Sequence, residues 1–355
     1  LRRWVATVAV LAFSVLFAAM PYISLNTHGV FSSPLDSPGT LTLIGLCLVY
    51  GGVALSYDLL FGHTGLLSFG HALYFAVGVY VMAIALRHWE LWQAVVVTLV
   101  VGLLLPLVLG VVSLRVGGIA FAMVTLAFAQ AGTVLVQKNP RNLTGGEEGV
   151  GLAYEKLPAA LVGVVNAKNL YWLALAYLVV VALVVRWTMA SSPGHVLQAI
   201  RENEQRVQVI GLRPFPYKLL AFVLASFLAT LGGIVYLLLL GSGANPQVVT
   251  ASFTLSLLVM VVIGGTGTLW GPVLGAFLYT FLDQRLPAFV DTERVQELPS
   301  VLRTPLSQPH FVLGVLFILI VFFLPGGIAG LGARGRRRGL RLLEQRVGRE
   351  AEAGV

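Results

Sequence analysis

Apolar runs of about twenty residues, each the length needed to cross a bilayer as a helix, recur along this chain and constrain its fold more than any other feature. They lack the polar alternation that the lumen-facing side of a β-barrel strand requires, so a helical bundle is expected. Of 355 residues 57% are apolar and 11% are charged, about half the charged fraction of an ordinary soluble domain. The apolar segments fall near residues 4–24, 40–60, 64–86, 91–113, 117–137, 170–187, 217–240, 252–263, 272–283 and 309–324. The expectation is an all-α integral membrane protein with about ten membrane segments, two of them short.

Basic residues set the orientation. Arg2 and Arg3, Arg115, the stretch from Arg186 to Lys218 and the carboxyl tail fall on one side of a ten-crossing topology, while residues 22–39 contain no Lys or Arg. The amino terminus, the 186–218 region and the tail are expected in the cytoplasm, with loops 138–169 and 284–308 outside. The first apolar run, behind Arg2 and Arg3, resembles a signal peptide but is expected to stay as an uncleaved span. After Leu331, Arg334, Arg336, Arg337, Arg338, Arg341, Arg346 and Arg349 face three glutamates and supply half of the formal charge of +8. A basic cluster after a last span is a topology signal and an attractor for anionic lipid, so nucleic acid is not an expected partner. The organisation is a first span and external loop at 1–39, a transmembrane domain at 40–325 and a basic cytoplasmic tail at 326–355.

Between two spans lies a polar, amphipathic insert, Ser192 to Lys218. Val196, Ile200, Val207 and Ile210 share one arc of a helical wheel, while Gln198, Arg201, Glu202, Gln205 and Gln208 point elsewhere. Ser192 and Pro193 suit an N-cap and first turn, Glu202 precedes Arg206 by one turn, and Gly211 before Pro214 and Pro216 ends the helix. Its charges and its length of about 25 Å prevent it from crossing a hydrocarbon core of about 30 Å, so it lies along the cytoplasmic surface as a grip for a cytosolic partner.

Two glycine-rich breaks interrupt the apolar runs. Gly62-His63-Thr64-Gly65-Leu66-Leu67 and Gly264-Gly265-Thr266-Gly267-Thr268-Leu269 both read G-x-T-G-x-L. Broken helices persist in a membrane only where protein or a water-filled cavity satisfies the freed backbone groups. Equivalent breaks in two repeats would mark a transport path through Thr64, Gly65, Ser68, His71, Gly265, Thr266 and Gly267. Alternatively, glycine and threonine here only let helices approach closely. Asp58 is either a functional acid near a span or a hydrated residue at its end. His63 and His71 are expected to be structural. Thr144, Gly145 and Gly146, in an outward loop, are either a gate or external contact, or an inert connector.

Chemistry of other kinds is missing from the sequence. Lys138, Lys156, Lys168 and Lys218 follow Gln, Glu, Ala and Tyr, so none completes a phosphate-binding loop, and ATP would have to be bound by another subunit. No zinc-protease helix or nucleophile turn occurs, and no metal or cofactor is expected. Cys47, the single cysteine, sits in an apolar run and is expected to be packing.

Six blocks, in order, carry a family resemblance: Gly62–His71, Gly118–Gln130, Leu143–Gly146, Ala199–Glu204, Tyr217–Phe222 and Gly264–Pro272. Together they resemble the M-type permease of high-affinity branched-chain amino acid ABC importers, from about residue 42 to 325. The resemblance implies a non-enzymatic subunit of the bacterial inner membrane, working with a related H-type permease, two cytosolic ATPases and an external substrate-binding protein. It also implies that the cytoplasmic loop 192–216 docks in an ATPase groove, through Gly194, Ala199, Ile200, Arg201, Glu202, Asn203, Glu204 and Gly211. Ser56-Tyr57-Asp58 departs from the family, many of whose members have a neutral amide in place of the acid. Urea and short-amide permeases share much of the pattern. An ion-coupled secondary transporter with Asp58 as its titrating group is the reading from another class.

Overall fold

The structure is a computed structural model that describes residues 17–22, 34, 36–163, 166–290, 308–324 and 326–330. Ten helices carry the architecture: α1 (Pro38–Asp58), α2 (His71–His88), α3 (Leu91–Ser113), α4 (Gly118–Lys138), α5 (Ala167–Ala190), α6 (Ser192–Val209), α7 (Pro214–Leu240), α8 (Ala251–Gly264), α9 (Gly271–Val290) and α10 (Pro309–Phe323). No strand occurs among the described residues; Val150 and Ala244 form an isolated antiparallel bridge. Among the described residues, seven stretches are long and apolar enough to cross a membrane: 38–63, α2, α3, α4, α5, α7 and 311–330. The chain is an all-α, multi-pass membrane protein.

Local chemistry sets the helix ends. Ser37 caps α1 by accepting from the Thr40 amide at 3.4 Å, with Pro38 in the first turn. Glu90 and Gln93 form a reciprocal box at the start of α3. Gly241, at φ +65°, ends α7 in the left-handed conformation that favours glycine.

Helix α1 is buried along nearly its whole length, against α5, α7, α8 and α9. Helix α7 packs on α2, α1 and α3. Gly78 of α2 and Gly233 of α7 face each other so closely that a Cβ on either would lie 3.0 Å from the other's Cα, as small residues permit in membranes. Tyr50, Phe75, Tyr236 and Phe253 join α1, α2, α7 and α8 through ring centroids 4.9–6.3 Å apart. Helices α3 and α4 present Leu104, Val108, Ile119 and Met123 outward, as lipid-facing helices do.

The bundle has two distinct ends. At one, the 139–163 loop meets the last residues of α2 and α7: Tyr154 Oη donates to the Gly241 carbonyl, and Lys156 Nζ to that of Arg87 at 3.4 Å. At the other lie α6 and both glycine breaks. Helix α8 has 14 residues, about 21 Å against a core of about 30 Å, so it begins inside the bundle. The turn before it, Pro246–Val249, packs between α2 and α4, where Thr133 Oγ1 donates to the Val249 carbonyl at 3.2 Å.

Several expectations need correction. The segment expected from residue 64 becomes helical only at His71, because residues 64–70 form the break. The segment expected at 272–283 is the 20-residue α9, reaching Val290 into the expected 284–308 loop. Most of the expected first span, residues 291–307 of that loop and the arginine-rich tail lie outside the described residues.

Candidate functional site

Where α1 ends, the chain widens to a five-residue π turn, Leu59–His63, instead of continuing as α-helix. Thr64 Oγ1 donates back to the Leu59 carbonyl at 2.8 Å, and the Leu66 amide to that of Leu60 at 2.9 Å. Residues 65–70 then run back into the bundle, and they and the first residues of α2 find side chains from other helices. The Phe69 amide donates to Thr125 Oγ1 at 3.1 Å, the Ala72 amide to Thr254 Oγ1 at 3.0 Å, and His71 Nε2 lies 3.0 Å from Ser56 Oγ. Ser68 and His71 are fully buried. The sequence reading did not single out these partners; the only signal was hydroxyl residues within apolar runs.

The second break is held by short-range bonds. Thr268 Oγ1 donates to the Gly265 carbonyl at 2.9 Å and accepts from the Gly271 amide at 3.0 Å, which turns α8 into α9. Gly265 is buried, while Thr266 and Gly267 are half-exposed. Gly326 and Gly327, past α10, pack against Gly264 and Gly265, which brings the start of the carboxyl tail to this break.

The two breaks touch. Asp58, fully buried, receives the Gly267 amide on its carboxylate at 2.9 and 3.1 Å, with His63 Nε2 3.7 Å from Oδ2. Of the two readings of Asp58, the hydrated one fails: its side chain is buried and hydrogen-bonded to the other break. Gly65 and Gly267, at φ +76° and +73°, adopt a conformation that costs an L-residue about 1–2 kcal/mol. Gly62 is needed for a different reason: a side chain there would strike the Asp58 carboxylate and the Gly267 amide.

Helix α6 lies beneath this junction. Its N-cap is Ser191, one residue earlier than the sequence suggested, so Ser192 and Pro193 occupy the first turn. Gly194, Leu197, Ile200 and Val207 form the buried face, while Val196 is half-buried and Ile210 is 72% exposed. The expected stripe holds at Ile200 and Val207 and is lost at Ile210; between them Asn203 is extended (φ −163°, ψ 102°) and interrupts the helix. Asn203 Oδ1 then accepts from the Arg206 amide at 3.0 Å, restarting the helix, and Glu204 pairs with Lys218 Nζ at 2.6 Å. Ala199, Arg201, Glu202, Asn203 and Gly211 are exposed. Arg201 turns its guanidinium inward and donates to the Gly62 carbonyl.

Thr144, Gly145 and Gly146 sit at the opposite end. The Thr144 and Gly145 amides donate to Asn139 Oδ1 at 2.9 and 3.0 Å, and Thr144 Oγ1 donates to the Val136 carbonyl at 2.8 Å. This closes the C-terminus of α4, whose cap Asn139 is left-handed. Cys47 is buried, its thiol 3.9 Å from the Phe277 carbonyl. Among the described residues no three His, Cys, Asp or Glu side chains gather as a metal site.

Residues 39–324 match the family model described as the permease component of branched-chain amino acid transport systems. The high-affinity branched-chain amino acid transport system permease protein LivM of Escherichia coli K12 is 26% identical over 267 residues, covering 68% of this chain and 62% of that protein. A probable branched-chain amino acid transport permease protein LivM of Methanocaldococcus jannaschii is 22% identical over 205 residues, 58% of each chain. The autoinducer 2 import system permease protein LsrC of Photorhabdus laumondii is 28% identical over 193 residues, 51% of each. The matched region thus spans about three fifths or less of the length of these relatives. No solved structure matches.

Proposed function

The chain belongs to the family of branched-chain amino acid transport system permease components, and from that membership we propose that it is the membrane-crossing subunit of an ATP-driven importer for branched-chain or related amino acids. The observation that carries this reading is α6. A polar helix outside the membrane segments is joined by Arg201 to the breaks inside them, so a partner pushing on α6 would act on the transmembrane region. The proposal places the α6 end in the cytoplasm of a bacterial inner membrane, with both termini, and the 139–163 loop outside. The basic residues of 186–218 and of the tail favour that orientation.

In this reading two cytosolic ATPases supply the energy, a related H-type permease completes the passage, and an external binding protein delivers the solute. No step of covalent chemistry falls to this chain. Closure of the ATPases on ATP displaces α6, and the bundle exchanges between inward-open and outward-open arrangements because partner contacts differ between the two. Thr64, Gly65, Ser68, His71, Gly265, Thr266 and Gly267 line or support the passage at the cytoplasmic end. Thr144, Gly145 and Gly146 shape the outer end where the binding protein docks. Affinity for the solute resides in that binding protein, since the breaks offer backbone and hydroxyl groups rather than a dense array of charge.

Reconstitution of the permease pair with its ATPases in liposomes tests the reading. Leucine uptake is expected only with ATP on the ATPase side and binding protein on the other. Uptake driven by a proton or sodium gradient without ATPases would overturn it.

A further inference from the structure

We propose that Arg201 is a clamp, a positioning residue that locks α6 to both glycine breaks at once, and that the surface meeting an ATPase is the part of α6 beyond Asn203. The inference rests on the importer reading above and divides α6 into two working halves.

The first half faces inward. Gly194, Leu197 and Ile200 are buried; Arg201 is exposed, and its side chain reaches from the edge of this face across the junction. A Cβ added at Gly65 would lie 3.1 Å from Arg201 Cγ, and one added at Gly267 would lie 3.1 Å from Arg201 Nη1. The stem of the arginine therefore passes over the first break, and its head rests between Gly62 of the first and Gly267 of the second. Gly62 belongs to the π turn that closes α1, where the negative end of the helix dipole favours a cation. Asp58 adds a buried carboxyl group that holds the Gly267 amide beside the arginine head. Moving α6 away must break the Arg201–Gly62 bond and uncover the buried carboxylate together. Departure of α6 and separation of the breaks thereby become one event.

The second half faces outward except at Val207, which is buried. The extended Asn203 follows Arg201 by two residues, and beyond it the helix restarts on the Asn203 side chain, held to α7 by Glu204 and Lys218. Val209 and Ile210, at its end, are 87% and 72% exposed. They present an apolar knob on an otherwise polar element, as a partner groove requires. Force received there reaches the breaks through Asn203 and Arg201.

The test compares Arg201→Ala, Arg201→Lys and a Val209→Asp/Ile210→Asp double variant in the complete reconstituted importer. Arg201→Ala is expected to retain its ATPase subunits and hydrolyse ATP within about twofold of wild type, while solute moved per ATP falls about tenfold. Arg201→Lys, which keeps the charge but not the planar fork, is expected to fall between them. The Val209/Ile210 variant should lose the ATPases instead. Loss of ATPases from Arg201→Ala would overturn the clamp, and so would unchanged solute per ATP. If Arg201→Ala does not assemble as a permease pair, Arg201→Lys carries the same comparison. A wild-type complex that neither binds ATPases nor imports would sink the importer reading instead. The clamp is then judged on the permease alone: in a Cys47→Ala background, Thr266→Cys should react about tenfold faster with a water-soluble maleimide when Arg201 is Ala, and an equal rate would overturn it.

Discussion

The two glycine breaks share a sequence pattern, lie at the same end of the bundle and touch each other, yet they are held in place by different means. The first, at 62–70, is tied to the rest of the molecule together with the start of α2 that follows it: Thr125 of α4 accepts from the Phe69 amide, Thr254 of α8 from the Ala72 amide, and Ser56 of α1 meets the His71 side chain. The second, at 264–271, closes on itself through Thr268 and has one long-range backbone bond, from the Gly267 amide to Asp58. A segment with many buried long-range ties opens only with the whole fold, whereas one with local, half-exposed ties can shift alone. The first break is therefore the fixed anchor and the second the moving part, with Asp58 and Arg201 as the joint between them.

The largest expected effect comes from forcing the joint apart. Gly62→Ala puts a methyl group where the Asp58 carboxylate and the Gly267 amide now meet, and ATP-driven uptake should drop to about a tenth of wild type or less. Uptake near the wild-type level would show that the contact between the breaks is incidental.

Anchoring predicts an asymmetry in stability. Thr254→Val leaves the buried Ala72 amide unpaired and should lower unfolding stability by about 1–3 kcal/mol, read as a lower Tm of the purified permease. Thr268→Val removes two bonds from a site that water can reach, and its cost should be the smaller, about 0.5–1.5 kcal/mol. Equal costs would erase the distinction between anchor and moving part.

How far the sequence foretold this arrangement depends on the range of each interaction. Helices α1, α3, α4, α5 and α7 follow their apolar runs closely, because in lipid a long apolar run has no other way to satisfy its backbone. Both breaks were legible from glycine and threonine. Their contact was not, since the Asp58–Gly267 bond joins residues 209 apart and no local pattern encodes it. In α6 the amphipathic character was plain, but the wheel assumed an unbroken helix. Asn203 interrupts it, which leaves Ile210 outside the buried stripe. Arg201 looked like one more polar residue of the outer face; a long, flexible stem lets its head lie where its Cα position alone does not suggest.

The smallest effect belongs to Thr266, whose side chain is half-exposed on the second break. Thr266→Val should change stability by no more than about 0.5 kcal/mol. A cost comparable to that of Thr254→Val would mean that the second break is as tightly held as the first.

That tolerance makes position 266 the place to observe the motion directly. In the assembled importer, with Thr266→Cys or Thr64→Cys as the single cysteine in a Cys47→Ala background, reaction with a water-soluble maleimide is timed without nucleotide and with ATP trapped on the ATPases. The account predicts that the rate at 266 changes about tenfold between the two states while buried position 64 stays slow in both. Identical rates at 266 in both states, with uptake intact, would contradict it.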